Sequence, residues 1–219
     1  MVREHPRAAF IVLEGGDGAG KTIQAKALRS ALRRQRYKVH STSEPSRSAV
    51  GRLIRRNFLQ REKISPEVEA LLFAADRFLH LKSEVRPALI AGRIVVCDRY
   101  MYASFAYQGA QGVDMKWLRE INRFAEKPDL AIYLDVPAEM ALGRIARKKS
   151  VLEKLDLQRR VREEYLKLVQ ARELVLVDST RPIKRVSEDV LALVTRRLRD
   201  LGLQHPPSPA RMHGIVLSR

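Results

Sequence analysis

Strand-like apolar runs alternate with helix-compatible stretches along this chain, which predicts an α/β fold of three layers: a five-stranded parallel sheet flanked by helices on both faces. Two further observations support it. The first apolar run, Ala8-Ala9-Phe10-Ile11-Val12-Leu13, ends just before a glycine-rich turn that leads into a helical stretch. The length, 219 residues, suits one domain with a sizeable buried core.

The turn reads Gly15-Gly16-Asp17-Gly18-Ala19-Gly20-Lys21-Thr22 and fits the pattern G-x-x-x-x-G-K-[ST]. Glycines let the backbone bend until successive N–H groups point inward as an anion-binding nest, at the N-terminus of the helix that follows. Lys21 then reaches the β- and γ-phosphates of a nucleoside triphosphate, and the Thr22 hydroxyl ligates Mg²⁺. All eight residues are candidate ATP contacts. The fold class is accordingly a three-layer P-loop NTPase fold.

The remaining elements follow in order. Strands are expected at residues 8–14, 37–42, 93–98, 129–135 and 173–177, with helices near 20–35, 48–60, 66–91, 101–109, 114–126, 137–147, 152–171 and 185–201. The helix over 66–91 has clear start signals, Pro66 at its first position and Glu67 beside it, followed mostly by strong helix formers. Pro87 is expected to kink that helix or end it early. Pro128 and Pro182 mark loops before the next elements. The stretch from Leu203 onward carries Pro206-Pro207-Ser208-Pro209 and lacks periodicity. It reads as a tail, with Gly214-Ile215-Val216-Leu217 a candidate short strand. One domain over 1–202 and a tail over 203–219 result.

Composition narrows the classes. The net charge is +17, from 42 Lys and Arg against 25 Asp and Glu, which invites a nucleic-acid reading. The cations are spread along helices and interleaved with acids, and no recognition motif or aromatic stacking platform accompanies them, so nucleic acid is not an expected partner. No apolar run approaches the roughly 18 residues of a membrane span. The first residues lead straight into a strand, so no secretory signal is expected. The single cysteine, Cys97, lies in the apolar run Ile94-Val95-Val96-Cys97 and reads as a buried strand residue. A reducing cytoplasm fits.

Ligands of open α/β sheets bind beyond the carboxyl ends of the strands. After the second strand stands Ser43-Glu44-Pro45-Ser46-Arg47; after the third, Asp98-Arg99-Tyr100, then Ser104-Phe105-Ala106-Tyr107-Gln108-Gly109. The helix from residue 66 offers Phe73 and, one turn on, Arg77, a ring and a guanidinium on one face that can clasp a planar ligand. Read singly, Phe73 is more readily a core aromatic and Arg77 a solvated cation.

The ordered set GGDGAGKT, EPSR, LLFAADR, VVCDRY, AYQG and PDLAIYLDVP resembles the thymidylate kinases, over about residues 8–180. That resemblance implies a P-loop nucleoside-monophosphate-kinase fold and transfer of the γ-phosphoryl group of ATP to dTMP. The products are dTDP and ADP, in dTTP biosynthesis, with Mg²⁺ as cofactor and the protein a cytoplasmic homodimer. It also implies residue roles. Asp17 contacts the 3′-hydroxyl of the acceptor sugar, and Arg47 and Arg99 grip the dTMP phosphate with forked donors. Phe73 stacks on thymine, Arg77 donates to its carbonyl, and Gln108 faces the base, with Ser104 and Tyr107 in the same dTMP-binding set. Asp98 organises Mg²⁺ directly or through water, and Glu44 is a candidate acid nearby. The attacking phosphate oxygen is already anionic, so no dedicated base is needed, and His5, His40, His80, His205 and His213 form no obvious catalytic cluster.

Some thymidylate kinases carry a catalytic arginine inside the phosphate loop; here that position is Gly18. Members lacking it use basic residues of a short lid. The resemblance therefore makes Arg147 the catalytic cation, alongside Lys21, Asp98 and Arg99, with Lys148 or Lys149 assisting. It sets Arg144 against the adenine and the lid at about residues 144–154. Three positions depart from the family pattern: Ile23 and Ala103, where hydroxyl residues are usual, and Ser43, where an arginine is frequent. Two other readings stay open on the residues: a kinase for another nucleotide or a deoxynucleoside, and a basic, nucleic-acid-associated P-loop ATPase.

Overall fold

The computed structural model describes residues 8–58, 64–145 and 154–203. The first half runs β1 (Ala9–Glu14), α1 (Lys21–Arg34), β2 (Val39–Ser43), α2 (Ala49–Leu53), α3 (Pro66–His80), α4 (Arg86–Ile90) and β3 (Ile94–Asp98). Then come α5 (Met101–Gly109), α6 (Met115–Ile121), β4 (Leu130–Asp135), α7 (Ala138–Gly143), α8 (Leu155–Gln170), β5 (Val175–Asp178) and α9 (Ile183–Asp200). All strand pairs are parallel, in the order β2-β3-β1-β4-β5. The expected five-stranded parallel sheet with helical layers is therefore observed.

Alternation along β1 divides the core. Phe10 and Val12 pack with α5 and α8 residues such as Phe105, Val161 and Tyr165, whereas Ile11 and Leu13 pack with Leu28 and Leu32 of α1 and Val190 and Val194 of α9. The register aligns Asp98 with both Leu13 and Ser43, so the carboxyl ends of the three strands that bear the motifs lie side by side. Sequence-distant motifs meet there.

Three helices differ from expectation. The helix over 66–91 neither ends nor breaks at Pro87. It continues from α3 through a π-helical turn, Leu81–Val85, into α4, and that widened turn precedes the proline, which lacks an N–H for the α-helical ladder. The helix begun near residue 114 stops at Ile121 rather than 126. The buried Asn122 side chain donates to Leu118 O at 2.8 Å, a side-chain bond that competes with helix continuation. The helix after Pro137 closes at Gly143, short of residue 147, with Arg144 and Ile145 in tight turns on Ala141 and Leu142. The candidate strand at 214–217 and most of the expected lid lie outside the described residues.

Candidate active site

The glycine loop leaves β1 with three glycines in left-handed or positive-φ conformations: Gly15 at +151°, Gly18 at +81° and Gly20 at +88°. A Cβ on Gly18 would meet the backbone carbonyl of Ala141 in α7. Lys21, at the first position of α1, is buried and donates to the carbonyls of Gly15 at 3.0 Å and Gly16 at 2.7 Å. Burial, and then the Arg99 guanidinium, push its ammonium pKa down to about 8. The next side chain, Thr22, donates its hydroxyl to Asp98 Oδ2 at 2.6 Å. A cleft of about 1090 Å³ opens over this loop, lined by Lys21, Thr22, Ser43, Glu44, Asp98 and Arg99. Arg144, Ile145, Thr180, Arg181, Ile183 and Ile23 line the same cleft. Arg144 is held there by donation to Ser179 O at 3.1 Å, and Ser179 in turn donates to Ala19 O in the loop at 2.8 Å.

Arg99 joins the loop to the second half of the site. Its φ is +70°, unusual for a side-chain-bearing residue. Two bonds hold that turn: Arg99 N–H to Leu13 O at 2.9 Å and Tyr100 N–H to Glu14 Oε1 at 2.8 Å. The guanidinium then reaches back to Gly15 O at 3.1 Å and to the Asp17 carboxylate, and lies over the Tyr107 ring at 5.2 Å. Tyr107 donates its hydroxyl to the other Asp17 oxygen at 3.1 Å. Glu14 is fully buried; burial raises its carboxyl to about 7 against the opposing pull of Arg99 and of donors from Tyr165 and Tyr100.

The third wall is α3. Arg77 is buried and makes four polar contacts: Nε to Glu44 Oε2 at 3.0 Å, Nη2 to the same oxygen at 2.9 Å, Nη2 to Ser104 Oγ at 3.2 Å, and Nη1 to Asn122 Oδ1. The other Glu44 oxygen faces His80 Nδ1 at 3.2 Å, and His80 Nε2 faces Thr42 Oγ1 at 2.7 Å. Glu44, the candidate acid near the metal, follows β2 in the cleft beside Thr22 and Asp98, and its carboxylate is bonded to Arg77 and His80 on the buried face of α3. Two of the scattered histidines also gather: His40 and His80 both approach Glu84. Neighbouring Asp76 accepts from Ser46 N, Ser46 Oγ and Ser48 Oγ, each at 2.6 Å, which clamps the loop bearing the exposed Arg47. Phe73 is half-buried, one turn before Arg77. Gln108 is buried and donates to Glu69 at 3.2 Å.

The structure therefore brings together Asp17, Lys21, Thr22, Asp98, Arg99 and Tyr107 on one side, and on the other Arg77 of α3 with Glu44 after β2 and Ser104 of α5, while Gln108, one turn further along α5, bonds to Glu69. Arg147, Lys148 and Lys149 lie outside the described residues. Several contributors were not anticipated. Glu14 and Asp76 had a signal, an acid at a strand end and one beside Arg77. Gln158 had none: from α8 it accepts from Asp17 N–H and donates to Tyr107 OH, both at 3.4 Å, across 141 residues in the first case.

Comparisons with known proteins point to one family. A family model described as thymidylate kinase matches residues 13–190. A "Probable thymidylate kinase" of Pyrococcus horikoshii is 47% identical over 206 residues, covering 90% of this chain and 100% of the relative. Proteins of the same description from Thermococcus kodakarensis and Staphylothermus marinus are each 44% identical, covering 84% and 86% of this chain and 96% of each relative.

Proposed function

The chain belongs to the thymidylate kinase family, and on that premise we propose that it transfers the γ-phosphoryl group of ATP to dTMP, giving dTDP and ADP. The observation that carries the reading is Asp17: a residue of the triphosphate loop is bonded to Arg99 and Tyr107 of the acceptor side, so the two substrates would meet there. Catalysis is then positioning and charge neutralisation of an in-line transfer. Lys21 bears on the transferred phosphates, Arg99 and Arg47 hold the acceptor phosphate, and Phe73 and Arg77 hold the base. Arg144 lies against the adenine. Arg147 is the lid cation of this proposal.

Thr22 and Asp98 present hard oxygen donors 2.6 Å apart beside the loop, a donor set that suits Mg²⁺ bound through few protein groups plus substrate phosphates. When bound, the ion neutralises charge on the β- and γ-oxygens. Glu44 is left out of this set. Self-association is part of the same proposal: Val68, Leu71 and Leu79 leave an exposed apolar stripe on α3, where a second copy would pack. Leu71→Asp should then shift the sedimenting species to monomer. A cytoplasmic location accords with the buried, unpaired Cys97; among the described residues no helix is long and apolar enough to cross a membrane.

One assay tests the activity: ADP release from MgATP with dTMP, dUMP, dCMP, AMP, thymidine or single-stranded DNA offered separately. Turnover with dTMP well above the no-acceptor rate is the expected result. Equal rates would sink the proposal, and stimulation by DNA alone would favour a nucleic-acid-associated ATPase.

A further inference from the structure

Helices α3 and α5 face each other along side chains spaced one turn apart: Glu69, Phe73 and Arg77 on α3, Ser104 and Gln108 on α5. Contacts pin both ends of this stripe. Arg77 donates to Ser104 Oγ, and Gln108 Nε2 donates to Glu69 Oε2 at 3.2 Å, which leaves Phe73 between the two pairs. The same Glu69 oxygen accepts from Gln111 Nε2 at 3.4 Å. Glu69 and Gln108 are 6% and 1% exposed, so water does not compete for these bonds.

An ionised carboxylate only accepts hydrogen bonds, whereas an amide has one donating and one accepting end. Glu69, set against the amide of Gln108, therefore decides which end turns toward it: the NH₂. The opposite end, Gln108 Oε1, is buried and has no hydrogen-bond partner. An unpaired buried acceptor is costly, and a ligand that donates to it removes the cost. Burial raises the Glu69 carboxyl pKa while the two amide donors lower it, so the glutamines help to keep the acceptor-only form.

We infer that Glu69 is a positioning residue for base selection. It holds Gln108 with its carbonyl, enclosed in this structure, as the end left to pair with a ring stacked at Phe73, so that the site takes a base bearing N3–H, thymine or uracil. Cytosine, whose N3 is itself an acceptor, meets an acceptor and is refused. The inference rests on the reading that Gln108 faces the base. A site built around one polar contact rejects the analogue that cannot make it more strongly than a purely apolar pocket does.

The test is kcat/KM for dTMP, dUMP and dCMP with MgATP, for the native chain, Glu69→Gln, Glu69→Met and Gln108→Leu, with thermal unfolding alongside. Glutamine at 69 can accept or donate and methionine does neither, so either variant frees the Gln108 amide to turn. The dTMP-to-dCMP ratio should fall roughly tenfold or more, mainly through KM for dTMP, while the dTMP-to-dUMP ratio holds. A merely structural role would lower all three acceptors together and would overturn the inference. Unchanged ratios in both Glu69 variants, with the ratio lost in Gln108→Leu, would overturn the role of Glu69 and leave Gln108 facing the base. An unchanged ratio in Gln108→Leu would remove the base-facing reading, and the inference with it. Should Glu69→Gln not fold, Glu69→Met carries the same comparison.

Discussion

A Cβ on Gly18 would stand 1.9 Å from the carbonyl oxygen of Ala141, and Gly18 adopts a φ of +81°. Both the backbone conformation and the packing of α7 close that loop position to any side chain. A transition-state cation must come from elsewhere. Gly18→Arg should lower kcat/KM for ATP at least tenfold and lose about 1–3 kcal/mol of stability from backbone strain, read by steady-state kinetics and thermal unfolding. Arg147→Ala should lose on the order of a hundredfold in kcat with little change in KM for dTMP. A Gly18→Arg enzyme that restores activity to Arg147→Ala would contradict this account.

Glu14 titrates against folding. Its carboxyl is raised from 4.5 to about 7 by burial, so between those values the native state binds the proton more tightly than the unfolded chain. The contribution to stability is complete below about pH 4.5 and is lost as pH rises through 7. Glu14→Gln abolishes that titration. Urea unfolding at pH 5 and pH 8 should show the native chain losing about 3 kcal/mol relative to the variant over that interval. Parallel pH profiles would show that Glu14 is not the group responsible.

Lys21 should take up a proton when the triphosphate binds. Its pKa is lowered to about 8, by burial first and by Arg99 second, so near pH 8 a sizeable fraction is neutral without ligand. Anionic phosphates beside the ammonium favour its charged form. Calorimetric titration of MgATP in buffers of different ionisation enthalpy should report uptake of about half a proton at pH 8 and almost none at pH 6.5. Lys21→Met should eliminate the uptake and cost on the order of a hundredfold or more in kcat.

The buried Glu44–Arg77 pair makes a prediction that separates structure from metal binding. Glu44→Ala leaves the Arg77 guanidinium buried without its carboxylate, and should cost about 3–5 kcal/mol in urea unfolding and raise KM for dTMP. The Mg²⁺ concentration needed for half-maximal rate should stay put. A shift in that requirement at unchanged stability would assign Glu44 to the metal. Phe73→Ala, by contrast, should raise KM for dTMP with ATP affinity nearly intact.

Much of this was legible locally. The glycine loop, the strand that precedes it, the acids and arginines at strand ends, and the spacing of Phe73 and Arg77 are patterns a few residues long, set by backbone sterics and by the periods of strand and helix. Where elements stop was less legible. The end of α6 depends on whether Asn122 bonds back to Leu118 or out to water, and the passage through Pro87 depends on a π-helical turn that no single residue announces.

The sequence by itself determined the sheet-and-helix order and the triphosphate loop, because these rest on interactions between near neighbours in the chain. Only the tertiary structure decided which charged groups are buried together and what each then does. It paired Glu44 with Arg77, placed Gln158 against Asp17, and set the Gln108 NH₂ on Glu69. The physical reason is that hydrogen bonding and desolvation depend on partners brought by other elements, from 33 residues away for Arg77 and Glu44 to 141 for Asp17 and Gln158.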